Sequence, residues 1–322
     1  MSRADCSWEV RASNQMLGAA TGLLLDRIFG EPPSRFHPVV LFGRLASRIE
    51  PLFWEDSRRS GGYFWASLLL PILVVGELLD GSFMATAIAS YLAIAEKSLF
   101  EAAATVQEAL AKPDLDLARN ELLSLVGRDR SGLSSGDIAR ATVESIAENS
   151  VDAVVAVLFW ASLLGAKGAV GYRAVNTLDS MFGNFSDRYA SFGWTSAKLD
   201  DIANFLPARF TTLLVSSIAG SDLETLKRTF RQARPHPSPN AGLVETAYAE
   251  LLDVELGGEL SYKGVAESRP RVGKLGNRAV LGDIRDAVSL ARKVDTFLAS
   301  ALLISGISIR ALVFRSRGKV RR

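Results

Sequence analysis

The sequence of 322 residues is 48% hydrophobic and 22% charged, with a mean hydropathy of +0.17. Its formal net charge is only +2 and its basic residues do not alternate with aromatic ones, so the composition argues against a nucleic-acid-binding protein. Cys6 is the only cysteine, which excludes an intramolecular disulfide and a cysteine-based metal site.

Charged residues are rare in several long apolar windows, and this distribution favours a membrane protein over a soluble one. A helix that spans a bilayer needs about 20 mostly apolar residues. With their polar ends included, the windows predict membrane spans near 12–29, 60–79, 81–100, 153–172, 296–314 and, as a further candidate, 208–221. The alternative is that the shorter windows form buried helices of a soluble helical protein.

The predicted fold class is mainly α: a polytopic α-helical membrane protein with one integral membrane domain over 1–322 and about four to six spans. The first window ends at Asp26 and Arg27 without a small-residue cleavage pattern, so we expect a retained helix rather than a signal peptide. Basic residues follow the last window and predict a cytoplasmic C-terminus in the cell membrane. They are Arg315, Arg317, Lys319, Arg321 and Arg322.

Polar segments separate the apolar windows and are expected to form the functional site: 101–150, 176–207 and 222–295. In the first of them, the stretch from Ser134 to Asp137 has the pattern of a helix start that a serine caps. No stretch of the chain shows the alternation of polar and apolar residues that would predict a β-strand.

A stripe of charged residues is spaced four apart along one predicted helix: Arg140, Glu144, Glu148 and Asp152. Like charges at this spacing repel by about 0.2–0.5 kcal/mol per pair, so Arg140 is expected to pair with Glu144. Glu148 and Asp152, with Asn149 beside them, then offer hard oxygen ligands suited to Mg²⁺. The alternative is a solvated helix face that pairs with basic side chains of other helices.

Two further clusters combine carboxylates with amides. The first consists of Asn176, Asp179 and Ser180, which can converge on one helical face. The second consists of Asp200, Asp201, Asn204 and Arg209. Because adjacent residues of a helix point to different sides, only one of the two aspartates is expected to face a site. The alternative for both clusters is an ordinary polar helix end.

Both histidines, His37 and His236, directly precede a proline. Proline pushes the residue before it into extended geometry, so each imidazole is expected to project from a stiffened loop. This placement suits a binding or proton-transfer role, and the alternative is a purely structural histidine. Farther along, Gly257 and Gly258 would let backbone amides approach an anion.

In their order along the chain, these motifs resemble the adenosylcobinamide-phosphate synthase family of cobalamin biosynthesis. The similarity runs from about Leu23 to Asp283. The stretches that carry it are Leu25-Asp26, Gly30-Glu31-Pro32, His37-Pro38-Val39, Gly43-Arg44, Val126-Gly127-Arg128-Asp129, Arg140 to Asp152, Ala174 to Met181, Ser196 to Asn204, Pro207-Ala208-Arg209, Ser238-Pro239-Asn240-Ala241-Gly242, Leu256-Gly257-Gly258 and Tyr262.

The resemblance implies a membrane ligase that uses ATP and Mg²⁺ to join the free propionate of adenosylcobyric acid to aminopropanol or its phosphate. Its implied partners are the corrinoid, the amino alcohol, the lipid bilayer and other enzymes of the corrin pathway, with no nucleic acid. The main alternative is a membrane sensor or signalling protein of a related family without ligase activity. A transporter is a third reading, because carboxylates inside a membrane often mark ion paths.

The resemblance also implies roles for the polar residues of these motifs. Catalytic roles are expected for His37, Glu148, Asp201 and His236, and metal binding for Glu144, Glu148, Asp152, Asp179 and Asp201. Substrate or phosphate binding is expected for Asp26, Arg44, Arg128, Asn149, Asn176, Ser180, Asn204, Arg209, Ser238, Asn240, Gly257, Gly258 and Tyr262.

Overall fold

The computed structural model describes residues 5–79, 81–127, 129, 132–183, 188–262 and 265–320. The side chains of 5–7, 261–262, 265–267 and 317–320 lie outside this description. Two predicted substrate- or phosphate-binding groups therefore lie outside the described part of the chain: Arg128 and the side chain of Tyr262.

Helices form most of the described chain. Those of the first half are α1 (Asp5–Phe29), α2 (Pro38–Phe53), α3 (Arg58–Leu78), α4 (Phe83–Ala93), α5 (Glu96–Leu110), α6 (Leu115–Glu121) and α7 (Ser135–Ser150). A short 3₁₀ turn (Leu122–Ser124) follows α6, and a π-helical turn (Val151–Val155) follows α7. The remaining elements are α8 (Ala156–Phe182), α9 (Trp194–Ile218), α10 (Leu223–Gln232), α11 (Ala241–Leu252), β1 (Glu255–Tyr262), β2 (Val265–Gly273) and α12 (Leu281–Val320).

Four helical stretches within the described residues are long and apolar enough to cross a membrane: Arg58–Leu78, Phe83–Leu110, Ser135–Phe182 and Leu281–Ser316. The predicted fold class, a mainly α polytopic membrane protein, is confirmed. The windows 60–79, 81–100, 153–172 and 296–314 fall on or close to these stretches, whereas 12–29 lies in α1 and most of 208–221 lies in α9, outside them. The number and bounds of the actual spans stay predictions.

The chain folds into two compact units. Unit 1 consists of Met1–Glu96, Ala153–Ala203 and Phe297–Arg322, and unit 2 consists of Lys97–Asp152 and Asn204–Thr296. Each unit therefore contains segments that are distant in sequence, which lets it bring separate motifs together.

In unit 1, α1 packs closely against α4 through two glycines spaced four apart. A Cβ atom on Gly18 would lie 2.7 Å from the Thr86 Cβ atom, and one on Gly22 would overlap Ser90. Small residues at this spacing let helices approach closely where lipid provides no hydrophobic drive for their association. This packing fixes the C-terminal end of α1, where Asp26 lies fully buried.

In unit 2, α11 packs on α7 and on the hairpin of β1 and β2. The strands are antiparallel, with an irregularity between Leu256 and Gly258. The expectation that the chain has no strands is therefore wrong. Leu256, Leu260 and Tyr262 alternate with polar residues, but two adjacent glycines interrupt the pattern and β1 has no β-branched residue to identify it as a strand.

The predicted helix start at Ser134 is confirmed. The Ser134 hydroxyl accepts a hydrogen bond from the Asp137 amide at 3.3 Å, and the Asp137 carboxylate accepts one from the Ser134 amide at 3.1 Å. This reciprocal cap satisfies two backbone donors that a helix start leaves open. It sets where α7 begins, and with it the direction of each charged side chain in the stripe.

Candidate functional site

The charged stripe of α7 does not share one environment. Glu144 is 4% exposed, whereas Glu148, one turn later, is exposed to solvent. Asp152 is half-buried and lies in the π-helical turn, where the wider spiral changes the direction of the side chains. The three carboxylates therefore have separate surroundings, although all belong to unit 2.

The first polar cluster of unit 2 anchors the hairpin to α7. Glu144 Oε1 accepts a hydrogen bond from the Gly257 amide at 2.8 Å. Arg140 donates to the Gly257 carbonyl, to the Glu259 carbonyl at 3.3 Å and to Asp137 Oδ1 at 3.2 Å. The anion that the Gly257 amide approaches is thus a carboxylate of the chain itself. The expected direct pairing of Arg140 with Glu144 is replaced in this cluster by a shared contact with Gly257.

The conformation of the hairpin explains its two glycines. Gly257 and Gly258 have φ angles of +83° and +93°, which residues with a side chain rarely adopt. A Cβ atom on Gly257 would overlap the Pro270 carbonyl, and one on Gly258 would lie 2.9 Å from Arg140 Nη1. The pair is needed for the bulge and for the approach of Arg140, so its geometry does not by itself define a phosphate site.

Asn204 and Asp152 form a second contact in unit 2. Asn204 is 3% exposed and donates through Nδ2 to Asp152 Oδ1 at 3.0 Å. Asn149 donates to the Ser145 carbonyl at 2.9 Å and to the Ser145 hydroxyl at 3.2 Å. The structure therefore joins the predicted residues Asp152 and Asn204, 52 positions apart, while Asn149 bonds within its own helix.

A third contact of unit 2 joins Arg209 to the loop before α11. Arg209 Nη1 lies 3.2 Å from Asn240 Oδ1 and 2.8 Å from the Phe205 carbonyl. Its guanidinium also lies over the Phe205 ring, 3.4 Å from the ring centre. In the same loop, the Ser238 hydroxyl accepts a hydrogen bond from the Ala241 amide at 3.1 Å. Arg209 and Asn240, both expected to bind substrate, are thus brought together.

His236 is buried at the start of that loop and faces a carboxylate. Its Nδ1 accepts a hydrogen bond from the Ser238 amide at 3.1 Å, and its Nε2 lies 3.6 Å from Glu245 Oε2. The exposed fractions of His236 and Glu245 are 7% and 1%. A Cβ atom on Gly242 would overlap the imidazole, so this glycine makes room for the ring.

His37 has the same arrangement in unit 1. It caps α2 with φ −68° and ψ 121°, which confirms the extended geometry expected before a proline. Its Nδ1 accepts a hydrogen bond from the Val39 amide at 3.2 Å, and its Nε2 lies 3.5 Å from Glu31 Oε1. Burial lowers the pKa of His37 below its ordinary value, an effect that Glu31 opposes and Arg173 reinforces. Burial therefore favours the neutral form of the imidazole.

Arg173, whose charge acts on the pKa of this histidine, belongs to a row of polar side chains. Its Nη1 lies 3.2 Å from Asn176 Oδ1, and Asn176 Nδ2 lies 3.4 Å from Asp200 Oδ1. Arg173 also donates through Nε to the Ala93 carbonyl at 2.6 Å. We call Glu31, His37, Arg173, Asn176 and Asp200 the His37 cluster. It unites residues from the first loop, α8 and α9.

The two adjacent aspartates of α9 diverge, as expected. Asp200 belongs to the His37 cluster, whereas Asp201 pairs with Lys198 at 2.8 Å and is 28% exposed. The geometry thus brings Asp200, rather than the Asp201 expected from the motif, to the cluster. On α8, the Ser180 hydroxyl donates back to the Asn176 carbonyl at 2.9 Å, and Asp179 is half-buried.

The remaining predicted residues of unit 1 have different surroundings. Asp26 is fully buried near the end of α1, and Arg44 is exposed on α2. Among the described residues, no three histidine, cysteine, aspartate or glutamate side chains lie close enough to hold a metal ion by themselves. The five predicted metal ligands are divided, with Asp179 and Asp201 in unit 1 and the other three in unit 2.

Sequence reasoning missed several residues of these clusters. Arg173 and Glu245 were not singled out, and neither was the buried ion pair of Arg27 with Glu96, whose nitrogen and oxygen lie 2.6 Å apart. Arg173 could have been found, because an arginine within an apolar helix such as α8 is costly to keep unless it has partners. The partner of Glu96, Arg27, is 69 residues away and leaves no local signal, whereas Glu245 lies only one helix start beyond its partner His236.

The fold and these clusters define a polytopic helical membrane protein with buried polar side chains in each of its two units. Residues 19–291 match the model of a family described as CobD/Cbib protein. The chain belongs to this family, which has a role in cobalamin biosynthesis.

Curated relatives agree with the family. The chain is 40% identical to the cobalamin biosynthesis protein CobD of Mycobacterium tuberculosis, over 90% of this chain and 94% of that protein. It is 39% identical to the CobD protein of Chromobacterium violaceum, over 93% and 99% of the two chains. For the CobD protein of Leptospira interrogans, the identity is 35% over 90% and 98%. No solved structure matches the chain.

Proposed function

We propose that the protein is the ligase of cobalamin biosynthesis that joins adenosylcobyric acid to aminopropanol or aminopropanol phosphate at the expense of ATP. Membership of the CobD/Cbib family supports the pathway. The observation that carries the reaction is the His37 cluster, in which a carboxylate, a neutral imidazole, an arginine, an amide and a second carboxylate converge within unit 1. All five residues lie within the stretch that matches the family.

The reaction needs two steps, because a carboxylate is a poor electrophile. In the first, an oxygen of the corrinoid propionate attacks the γ-phosphorus of ATP, and ADP leaves. In the second, the amine nitrogen attacks the acyl carbon, inorganic phosphate leaves, and the proton of the incoming ammonium passes to a base. The enzyme must therefore stabilise phosphate charge and supply a proton acceptor.

We assign the proton acceptor to Glu31, whose carboxylate lies 3.5 Å from the His37 ring. Because Nδ1 of His37 accepts the Val39 amide, the proton of the neutral ring lies on Nε2, which faces Glu31. His37 is therefore a positioning residue, and Glu31, whose side chain is 35% exposed, can reach a substrate. This revises the sequence-based expectation that His37 itself has a catalytic role, by proton transfer or binding.

The polar row of α8 and α9 suits the nucleotide. Mg²⁺ in nucleotide sites is commonly bound by one or two carboxylates together with phosphate oxygens and water, so a cage of three protein ligands is not required. Asp200 would hold it, with Asp179 as a further candidate, and the bound ion would offset the charge of the phosphates. Arg173 holds Asn176 in place and adds positive charge beside it.

Product formation by the purified protein in detergent or nanodiscs tests the proposal. The protein is given adenosylcobyric acid and Mg-ATP with aminopropanol or, separately, with its phosphate, and the products are identified by mass spectrometry. An amide product establishes the ligase and its preferred amine. Folded protein that forms no amide with either amine would contradict the proposal and favour a sensor or transporter.

Glu31→Gln separates the two steps of the reaction. This variant keeps the volume of the side chain but cannot accept a proton, so amide formation should fall by about 10²–10⁴-fold. Hydroxylamine is largely unprotonated at neutral pH and should still trap the activated carboxylate as a hydroxamate. Loss of both products would instead place Glu31 in the activation step. Unchanged amide formation would remove it from the site.

The membrane setting completes the proposal. We place the protein in the cell membrane as a multi-pass protein with a cytoplasmic C-terminus, on the same side as ATP and the other enzymes of the corrin pathway. The basic residues after the last apolar window support this orientation. A reporter that is active only in the periplasm can be fused to the C-terminus. A signal from this reporter would contradict the proposed orientation.

A further inference from the structure

Helix α10 presents an unusual mixture of side chains on its exposed face. Leu223 is 66% exposed and Phe230, seven residues later, is 37% exposed, while Thr229 is buried. Lys227 and Arg231 are exposed as well and lie on the same side, because they follow Leu223 at intervals of four and eight residues. The outward face is thus both apolar and basic. A helix that meets only water normally turns its large apolar residues inward.

The exposed apolar surface begins before α10. In the part of α9 that belongs to unit 2, Leu206 is 54% exposed, Leu213 46% and Ile218 38%. This stretch overlaps the window 208–221 that the sequence marks as a candidate span. Only the turn 219–221 and the cap residue Asp222 separate Ile218 from Leu223. A run of apolar side chains open to the outside therefore leads directly into the basic face of α10.

Basic side chains are exposed on the surface of α10 and just beyond its end. Glu224 lies 3.9 Å from Lys227 and 3.6 Å from Arg231, and these exposed pairs are weak. Arg228 is turned toward Glu250, which it meets at 2.6 Å, and so is directed away from the mixed face. Arg234 adds one more exposed cation just beyond the helix.

We propose that the exposed face of α10 lies on the membrane surface and binds anionic phospholipid headgroups. Leu223 and Phe230 enter the boundary between headgroups and acyl chains, and Lys227, Arg231 and Arg234 contact lipid phosphates. Apolar and basic residues together on the outward side of a helix are typical of interfacial helices. Basic residues near an anionic leaflet are attracted to it over about a Debye length. This inference is independent of the ligase reaction.

Site-specific fluorescence tests this placement in the full-length protein. Cys6→Ser removes the native thiol, and Leu223→Cys or Phe230→Cys then carries a polarity-sensitive label in nanodiscs of phosphatidylcholine with or without phosphatidylglycerol. We expect a blue shift at both positions and a loss of emission when a headgroup-quencher lipid is included. Both effects should be larger with the anionic lipid. A label at Leu123→Cys, which is 56% exposed and lies in the 3₁₀ turn of unit 2 away from α10 in sequence, is the matched control.

A charge reversal provides the second measurement. Lys227→Glu combined with Arg231→Glu changes only exposed side chains, so the protein should fold while the anionic-lipid effect on the label at position 223 disappears. Two results would overturn the proposal. One is a label at 223 and 230 that is as open to water as the control label at 123 in both lipids. The other is shielding that is insensitive to lipid charge and to the quencher lipid, which would indicate a protein neighbour.

Discussion

Arg140 and Glu144, one turn apart on α7, hold the two polar backbone groups of the same residue, Gly257. The guanidinium binds the carbonyl of Gly257, and the carboxylate accepts its amide at 2.8 Å. The carboxylate expected to bind metal thus attaches the hairpin of β1 and β2 to α7. Glu144 can therefore have a structural role, and experiments can distinguish that role from metal binding.

Two substitutions at Glu144 distinguish these roles. Glu144→Gln keeps an oxygen for the Gly257 amide, so we expect most of the thermal stability and most of the activity to remain. Glu144→Ala leaves a buried amide without its acceptor and should cost about 1–3 kcal/mol of stability. Thermal unfolding of the detergent-solubilised variants and amide formation are the measurements. A Gln variant of normal stability that has lost its activity would show that Glu144 is a ligand.

Substitution of Gly257, the glycine of the bulge, should lower stability more than substitution of Gly276, a second glycine of unit 2 with a similar φ angle. Gly257→Ala brings a Cβ atom into the Pro270 carbonyl at φ +83°. Gly276→Ala meets no atom within 4 Å at φ +87°, so it reports the backbone strain alone, about 1–2 kcal/mol. The shift of the unfolding midpoint should be clearly larger for Gly257→Ala. Equal shifts would mean that the hairpin relaxes without cost.

Local signals in the sequence predicted local structure well. The cap at Ser134, the extended geometry of His37 and the divergence of Asp200 from Asp201 depend on neighbouring residues, and all three are confirmed. The spacing of four along α7 showed which side chains could share a face. It did not show which of them is buried, because that depends on the hairpin that packs against Glu144.

Long-range contacts could not be read from the sequence. Arg173 and Asp200 meet through Asn176 because α8 and α9 lie side by side, and no local pattern encodes that pairing. The turn at Val151–Val155 also escaped prediction, because π-helical turns have no strong sequence signature. The hairpin was missed for a related reason, since its glycines reflect a bulge and a close contact rather than strand propensity.

His37 should make the protein less stable in mild acid. Its pKa in the folded state is lowered, so below about pH 6.5, the ordinary value, the unfolded chain takes up a proton that the folded chain does not. Stability from this group is fully present above that pH and is lost as the pH falls. His37→Asn retains a good helix cap and removes the titration. The drop in unfolding midpoint between pH 7.5 and 5.5 should therefore be smaller in the variant, and an equal drop would exclude His37 as its source.

Asp200 and Asp201 form a matched pair of neighbours for testing the His37 cluster. Asp200→Asn removes the carboxylate beside Asn176, so we expect a strong loss of amide formation and a higher Mg²⁺ requirement. Asp201→Asn breaks a partly exposed pair with Lys198, worth about 0–1 kcal/mol, and should retain most of the activity. Kinetics at several Mg²⁺ concentrations, with unfolding midpoints as the check on folding, compare the two. A larger loss of amide formation in Asp201→Asn than in Asp200→Asn would assign the catalytic role to Asp201 and exclude Asp200.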